Sequence, residues 1–260
     1  METTTASMRL NPQRLRTLAR WNTVLLVRNR LALTYALVLP LAPLLLLLTG
    51  DGGGVGAATI TTTLTFAALF PVFYNVLAQF VSRRDELVLK RLRSGEARDA
   101  EILVSLALPG TAILLLVDLL SVPLARAAGQ PLPINPVVLL VAVLMTGGLY
   151  ASFAFWTAAW TRNAEAAQLT SMPVVFLAVL GQMSVSFPDR IREIVEWTPG
   201  AALTELVRTG WFGFGEPGTV RTLDLADTWA AAAQPVLVLA SWILIAAWLA
   251  RRSMRWEPRG

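Results

Sequence analysis

The sequence holds no cysteine, no histidine and a single lysine, Lys90. Each absence removes a chemistry. Without Cys or His there is no zinc finger, no His-ligated haem, no Cys nucleophile and no Ser-His-Asp triad. No disulfide can form, which leaves the redox compartment open. Leu89 precedes Lys90, where a Walker A loop requires Gly, so the chain does not cradle a nucleoside triphosphate in that way. No DDxxD pair is present to hold magnesium on a diphosphate. Charge is scarce as well. Charged residues make up 15% and hydrophobic residues 55% of 260 positions, against roughly 25% charged in a soluble domain. A soluble chain of this length cannot bury so much apolar surface, and lipid is the second solvent.

A bilayer core of about 30 Å needs about 20 helical residues. Six apolar windows meet that length: 31–49, 57–81, 102–125, 136–160, 168–187 and 230–250. Only the third carries a charge, Asp118. The chain therefore reads as an all-α polytopic membrane protein, one domain over 1–260, with six transmembrane helices. The first window is too long for a signal peptide, and no small-residue cleavage pattern follows it.

The basic residues set the orientation. One side holds Arg9, Arg14, Arg16, Arg20, Arg28 and Arg30 before the first span, and Arg83, Arg84, Lys90, Arg91, Arg93 and Arg98 between the second and third. It also holds Arg162 and the tail residues Arg251, Arg252, Arg255 and Arg259. The other side holds only Arg126, Arg190, Arg192, Arg208 and Arg221. That asymmetry predicts cytoplasmic termini. The basic balance is thus a topology signal, and no nucleic-acid partner is expected, because no readout residues accompany the charge.

Before the first span, residues 11–30 read as an amphipathic helix in the interface plane. Asn11 can cap it, Pro12 suits its first turn, and Leu15, Leu18, Trp21 and Leu25 recur at helical spacing. The loop after the second span, RRDELVLKRLRSGEARDAE, predicts a short amphipathic helix over 84–95. Glu86 lies four residues before Lys90, the favourable order for a helical pair. Gly95 can end the helix. Its nearly balanced charge suits a protein partner better than a lipid surface.

The stretch Arg84, Asp85, Glu86, Leu89, Lys90, Arg91, Leu92 and Arg93 resembles the cytoplasmic coupling helix of ABC-2 type transporter permeases, especially their actinobacterial drug-exporter-like branch. Ser94-Gly95 stands where relatives often have Thr-Pro. The stretch FPDRIREIVEWTPGAALTELVR is similar to the family's Pro-containing extracellular connector, whose short re-entrant helices join spans five and six. With the amphipathic amino terminus and six spans, the resemblance covers nearly the whole chain. It implies a non-enzymatic permease subunit of an ATP-driven exporter in the bacterial plasma membrane. It further implies pairing with a second permease subunit, as a homo- or heterodimer, and coupling to separate ATP-binding subunits that hold the ATP and magnesium. This chain would bind no cofactor itself. An amphiphile such as a drug, antibiotic or lipid is the expected cargo.

Residues 188–228 are too long for a structureless loop in a compact protein. Thr198 can cap a helix begun by Pro199, with Leu203, Leu206 and Val207 on one face. That helix can re-enter the bundle or lie over it as a surface cap. Trp197, Trp211, Phe212 and Phe214 are expected at the headgroups.

Within the spans, Asp118 is open to two readings: a functional intramembrane carboxylate, as in a proton-coupled secondary transporter, or a water-facing or structural group. Asn75 and Gln79 share a helix face, and with Gln182 they can line a pathway or glue helices together. The pairs Gly147 with Ala151 and Gly148 with Ser152 fit close packing. Pro40, Pro43, Pro71, Pro109 and Pro173 can kink their helices.

Overall fold

Helices account for nearly all of the chain in the computed structural model, which describes residues 10–50, 52–95, 97–163, 165–215, 222–254 and 256. Arg9, Glu96, Arg221, Arg255 and Arg259 lie outside the described residues, as does 216–220 of the connector. The only β pairing among the described residues is an isolated bridge between Phe214 and Thr222.

Helix α1 spans Pro12–Arg28. Its cap is the expected one: Asn11 Oδ1 accepts from the backbone N–H of Gln13 and Arg14 at 3.0 and 3.3 Å. Asn29 then ends α1 and caps α2 (Arg30–Leu41), accepting from Ala32 N–H at 3.1 Å. On α1, Asn22 and Leu26 are buried while Trp21 and Leu25 stay exposed. The polar Asn22 thus faces protein, Trp21 and Leu25 face outward, and Leu15 and Leu18 are half-buried.

Five segments are long and apolar enough to cross a membrane: Arg30–Thr49, Gly53–Asp85, Asp99–Ala127, Pro136–Trp160 and Leu225–Ser253. They mark the chain as membrane-embedded. Several are longer than the windows read from sequence, since charged ends continue the helix past the apolar run. The first begins as α2 and tightens at Pro40 and Pro43 into a 3-10 stretch, Ala42–Thr49. The second comprises α3 (Gly53–Ala68), a π-helical stretch (Leu69–Tyr74) and α4 (Asn75–Asp85). Pro71 sits in the π stretch. It has no N–H to donate four residues back, and that missing bond favours wider pairing there. Next come α5 (Val88–Ser94), α6 (Asp99–Ala127) and α7 (Pro136–Trp160).

The expected fifth span, 168–187, is in pieces: α8 (Ala167–Thr170), α9 (Met172–Gln182) and a 3-10 turn, Ser184–Ser186. No single helix there reaches spanning length. Pro173 accounts for the break, because it cannot bond back to Leu169 and crowds its carbonyl. Then follow α10 (Asp189–Val195), α11 (Pro199–Phe212) and α12 (Leu225–Ser253).

Helix α7 runs through the middle, packing against α4, α6, α11 and α12. Phe73, Phe80, Tyr150 and Phe153 are fully buried around it. Helix α11 lies among α3, α7, α9 and α12 and is buried on nearly every side. Trp211 and Phe212 are therefore core residues, not the headgroup anchors the sequence implied. Trp211 donates its indole N–H to Pro131 O at 2.9 Å. Trp197 is the exposed one.

Lipid gives helices no hydrophobic reason to associate, so close backbone approach and hydrogen bonds must do it. A Cβ on Gly110 would lie 2.0 Å from Pro71 O, so α6 rests directly on the π stretch. A Cβ on Gly181 would lie 2.2 Å from Ala201 N, and one on Gly200 2.5 Å from Ala178 O, so α9 and α11 touch backbone to backbone. Gly147 packs on Thr111 and Leu114, whereas Gly148 faces open space.

The elements sort to two ends. At one end Asn11 N–H donates to Glu101 Oε1 at 2.8 Å, and Arg93 stacks over Trp256 at 4.6 Å, so the first and last described stretches both lie there. At the other, Asn135 N–H donates to Gly210 O at 2.8 Å and Asn135 Nδ2 to Thr228 Oγ1 at 3.0 Å.

Gly110→Ala should lower the melting midpoint in detergent, since overpacking against rigid backbone costs about 1–3 kcal/mol or more. Gly148→Ala should leave the midpoint unchanged or raise it, because alanine favours helix by about 1 kcal/mol. Equal midpoints for the two variants would refute the backbone contact.

Candidate functional site

A cleft of about 1270 Å³ opens between the α1–α2 junction, the π stretch with α4, and α8–α9. Its walls are mostly apolar, with Leu39, Phe66, Phe70 and Val179 among them. One polar ladder crosses them. Asn75, Gln79 and Arg83 recur every fourth residue of α4 and so stack on one face. Arg83 Nη2 donates to Gln79 Oε1 at 2.9 Å, and Gln79 Nε2 donates to Asn75 Oδ1 at 2.9 Å. Arginine can only donate, so it fixes both amide orientations. Asn75 Nδ2 is then left buried and without an acceptor among the described residues. Opposite, Tyr74 Oη and Ser171 Oγ share a hydrogen bond of 3.0 Å across the α8–α9 break.

The other polar span residues do not join the ladder. Gln182 donates to Thr62 Oγ1 on α3 and does not line the cleft. Asp118 sits on α6 outside the cleft, and its Oδ1 is buried without a partner among the described residues. Of the four polar residues singled out from sequence, Asn75 and Gln79 meet, and Gln182 and Asp118 stand apart. Arg28 and Arg83 entered the sequence reading only as topology charges and Tyr74 not at all, although the spacing 75, 79, 83 was readable.

The segment after α4 is shaped differently from the expected helix over 84–95. Helix α4 runs on to Asp85, Leu87 takes a left-handed conformation (φ 59°), and α5 starts only at Val88. Arg84 is fully buried. Its guanidinium donates to the carbonyls of Ala158 and Thr161 at 2.9 Å and of Arg162 at 3.0 Å. These are among the orphan acceptors at the end of α7, so Arg84 caps that helix and cannot reach a partner. Asp85 stays beside it at 3.3 Å. Leu89 is fully buried in the chain's own core, and Leu92 packs against that core. Neither is free to enter a partner groove. Arg93 bridges Asp99 at 2.8 Å. Glu86, Lys90 and Arg91 face outward, and Glu86 is also on the cleft rim.

No model of a known protein family matches the chain, and no curated protein matches it significantly.

A second cavity of about 710 Å³ lies between α10, α11 and the start of α12. Arg192, Glu193, Glu196, Glu205 and Asp227 line it. Arg192 pairs with Glu196 at 3.6 Å and with Asp189 outside the cavity at 2.5 Å, and Glu205 pairs with Arg208, also outside it, at 3.5 Å. Burial pushes the Glu205 carboxyl above the usual range, with Arg208 opposing. No cluster able to hold a metal ion occurs among the described residues.

Arg84→Met should lower the melting midpoint sharply, since it strands several carbonyls that each held a charge-assisted bond of about 1.5–3 kcal/mol. Arg84→Lys should restore only part, because an ammonium cannot span three acceptors as a planar fork does. Arg91→Met should change little. A wild-type midpoint for Arg84→Met would disprove the cap.

Proposed function

We propose that the chain is the membrane permease subunit of an ATP-driven exporter of the ABC-2 type, with both termini cytoplasmic. The observation that carries this is the cleft: a membrane-embedded helical bundle with an amphiphile-sized opening of about 1270 Å³. Pockets of about 300–1,000 Å³ already hold drug-sized molecules. Apolar walls with one polar ladder suit a molecule that is itself amphiphilic. The sequence has no Walker A lysine, so ATP hydrolysis falls to a separate subunit. Helix α5 is the docking element on this reading, through its outward Lys90 and Arg91 and the adjacent Glu86. The clefts of two permease subunits would together form the pathway, whether the pair is homo- or heteromeric.

Six crossings are supported by parity. Helix α7 ends beside Arg84, at the end that carries the start of α1 and Trp256, and α12 starts beside Asn135 at the other. The chain between them must cross an odd number of times, and the broken segment 167–186 supplies that crossing. Helix α11 then re-enters the bundle from the far side, and the exposed stripe of α1 rests in the interface. The basic residues at the α1 and α5 end support placing that end in the cytoplasm, and the resemblance to the permease family implies a bacterial plasma membrane.

A second reading is a proton-coupled transporter. The Oδ1 of Asp118, buried and without a partner among the described residues, favours it. Asp118→Asn separates the two: transport should survive in an ATP-driven cycle and vanish in a proton-coupled one.

The direct test is affinity purification of the full chain from its native membrane. A stoichiometric ATPase should co-purify. Lys90→Glu with Arg91→Glu should abolish that association and transport while leaving the melting midpoint near wild type. Leu89→Ala should instead destabilise the permease itself, by about 2–5 kcal/mol. Recovery of the chain without any ATPase would refute the proposal.

A further inference from the structure

We infer that the cleft binds an anionic membrane amphiphile, with its headgroup on Arg28 and Arg83 and a second acceptor on the Asn75 side-chain N–H. This deepens the transport reading by naming the class of molecule carried, and it rests on that reading.

Three observations combine. First, the cleft is electrostatically lopsided. Arg28 and Arg83 face it with a single carboxylate, Glu86, so its rim is net positive. Arg28 has no acidic partner among the described residues. Both arginines lie toward the end that carries α1 and α5. An anion there sits where headgroups sit if that end faces the cytoplasm. Second, the ladder has a direction. Every hydrogen bond from Arg83 through Gln79 to Asn75 is donated the same way, and the last N–H has no acceptor. A buried donor without a partner costs about 1–3 kcal/mol. An ester carbonyl or hydroxyl below the headgroup would satisfy it. Third, beyond Asn75 the walls turn apolar at Phe66, Phe70 and Leu39, which is where a tail would lie.

Charge also argues against the obvious rival. A second copy packed tightly into the cleft about a twofold axis, rather than facing it across an open shared pathway, would press each rim against its own image. Arg28 and Arg83 would then face like charges with no anion between them.

The test uses the full chain in phosphatidylcholine nanodiscs and reads the immobilised fraction of nitroxide-labelled lipids by electron paramagnetic resonance. Labelled phosphatidylglycerol should be enriched several-fold over labelled phosphatidylcholine. Arg28→Gln with Arg83→Gln should weaken phosphatidylglycerol binding about tenfold and erase the preference, as expected for a lost charge-assisted contact. Asn75→Leu should weaken phosphatidylglycerol, which has ester acceptors below its phosphate. It should spare labelled stearate, whose only acceptor is its head. Unchanged melting midpoints confirm that the variants fold.

Equal retention of both phospholipids would overturn the inference. Displacement by inorganic phosphate would also overturn it, since the ligand would then be a free anion. Because the chain lacks native cysteine, Ala32→Cys probes the cleft wall cleanly. Spontaneous disulfide pairing of two copies that leaves no immobilised lipid would overturn it in favour of a second copy. No ATPase is present in this assay, so lipid selectivity can stand if the ABC reading fails, and can fail while an ATPase still co-purifies.

Discussion

In hydrocarbon, a backbone carbonyl that loses its helical partner finds no water to replace it. The end of α7 meets this constraint chiefly through the Arg84 guanidinium on the Ala158, Thr161 and Arg162 carbonyls, with the Thr161 hydroxyl on Thr157 O. Those contacts hold the end of α4 against the end of α7. They thereby fix the height of the Asn75–Gln79–Arg83 ladder and the point where the chain reverses at Leu87. A positive charge is well placed there, because the C-terminal pole of a helix is negative. The charge is buried, so its loss would strand the Ala158 and Thr161 carbonyls, which it reaches inside the protein. The same logic repeats at the opposite end, where Asn135 bonds to Gly210 and Thr228.

The interruptions in the helices are not scattered. Leu39 lies just before the 3-10 stretch of the first span, Phe70 and Tyr74 lie in the π stretch, and Gln168 and Met172 flank the α8–α9 break. All five line the cleft. Each interruption frees backbone groups, and such backbone is tolerated at membrane depth only against protein or a cavity. Broken helices around a binding site are a recurrent way to place polar groups and allow rearrangement within a membrane. By contrast α7, unbroken over its whole length, faces the core. Rigid elements occupy the centre here and breakable ones surround the opening.

Much of this was readable in the sequence where one residue decides the local structure. Asn11 with Pro12 set the start of α1 to the residue, and the apolar window 136–160 matched the bounds of α7. Reading failed where burial decides. The 84–95 stretch has unbroken helical periodicity, and no glycine marks the reversal, because Leu87 itself adopts the left-handed conformation. Arg84 and Leu89 looked like surface residues of a short helix, since pattern alone cannot say which face the following spans will cover. Trp211 and Phe212 looked like headgroup anchors for the same reason. An aromatic near a span end fits a membrane interface or a helix buried among four others equally well. The ladder was half visible: Asn75 and Gln79 stood out as polar residues in an apolar run, and Arg83 was counted only as charge.

The fastening of α5 bears on how motion would pass through the molecule in the proposed cycle. A helix of seven residues has little stability of its own. Leu89 anchors α5 in the core, Arg93 ties it to Asp99 at the start of α6 and to Trp256 after α12, and its approach is held at Arg84 against α7. A push on its outward face therefore reaches three spans through contacts that are either buried or charge-assisted. None of those spans needs to deform for α5 to tilt, because the left-handed residue Leu87 is a single-residue joint between α4 and α5. The ladder lies on α4, immediately before that joint. A load on α5 would reach the arginine at the cleft rim through Glu86, within one helical turn, and the polar chain that ends at Asn75 would be re-aimed along with it.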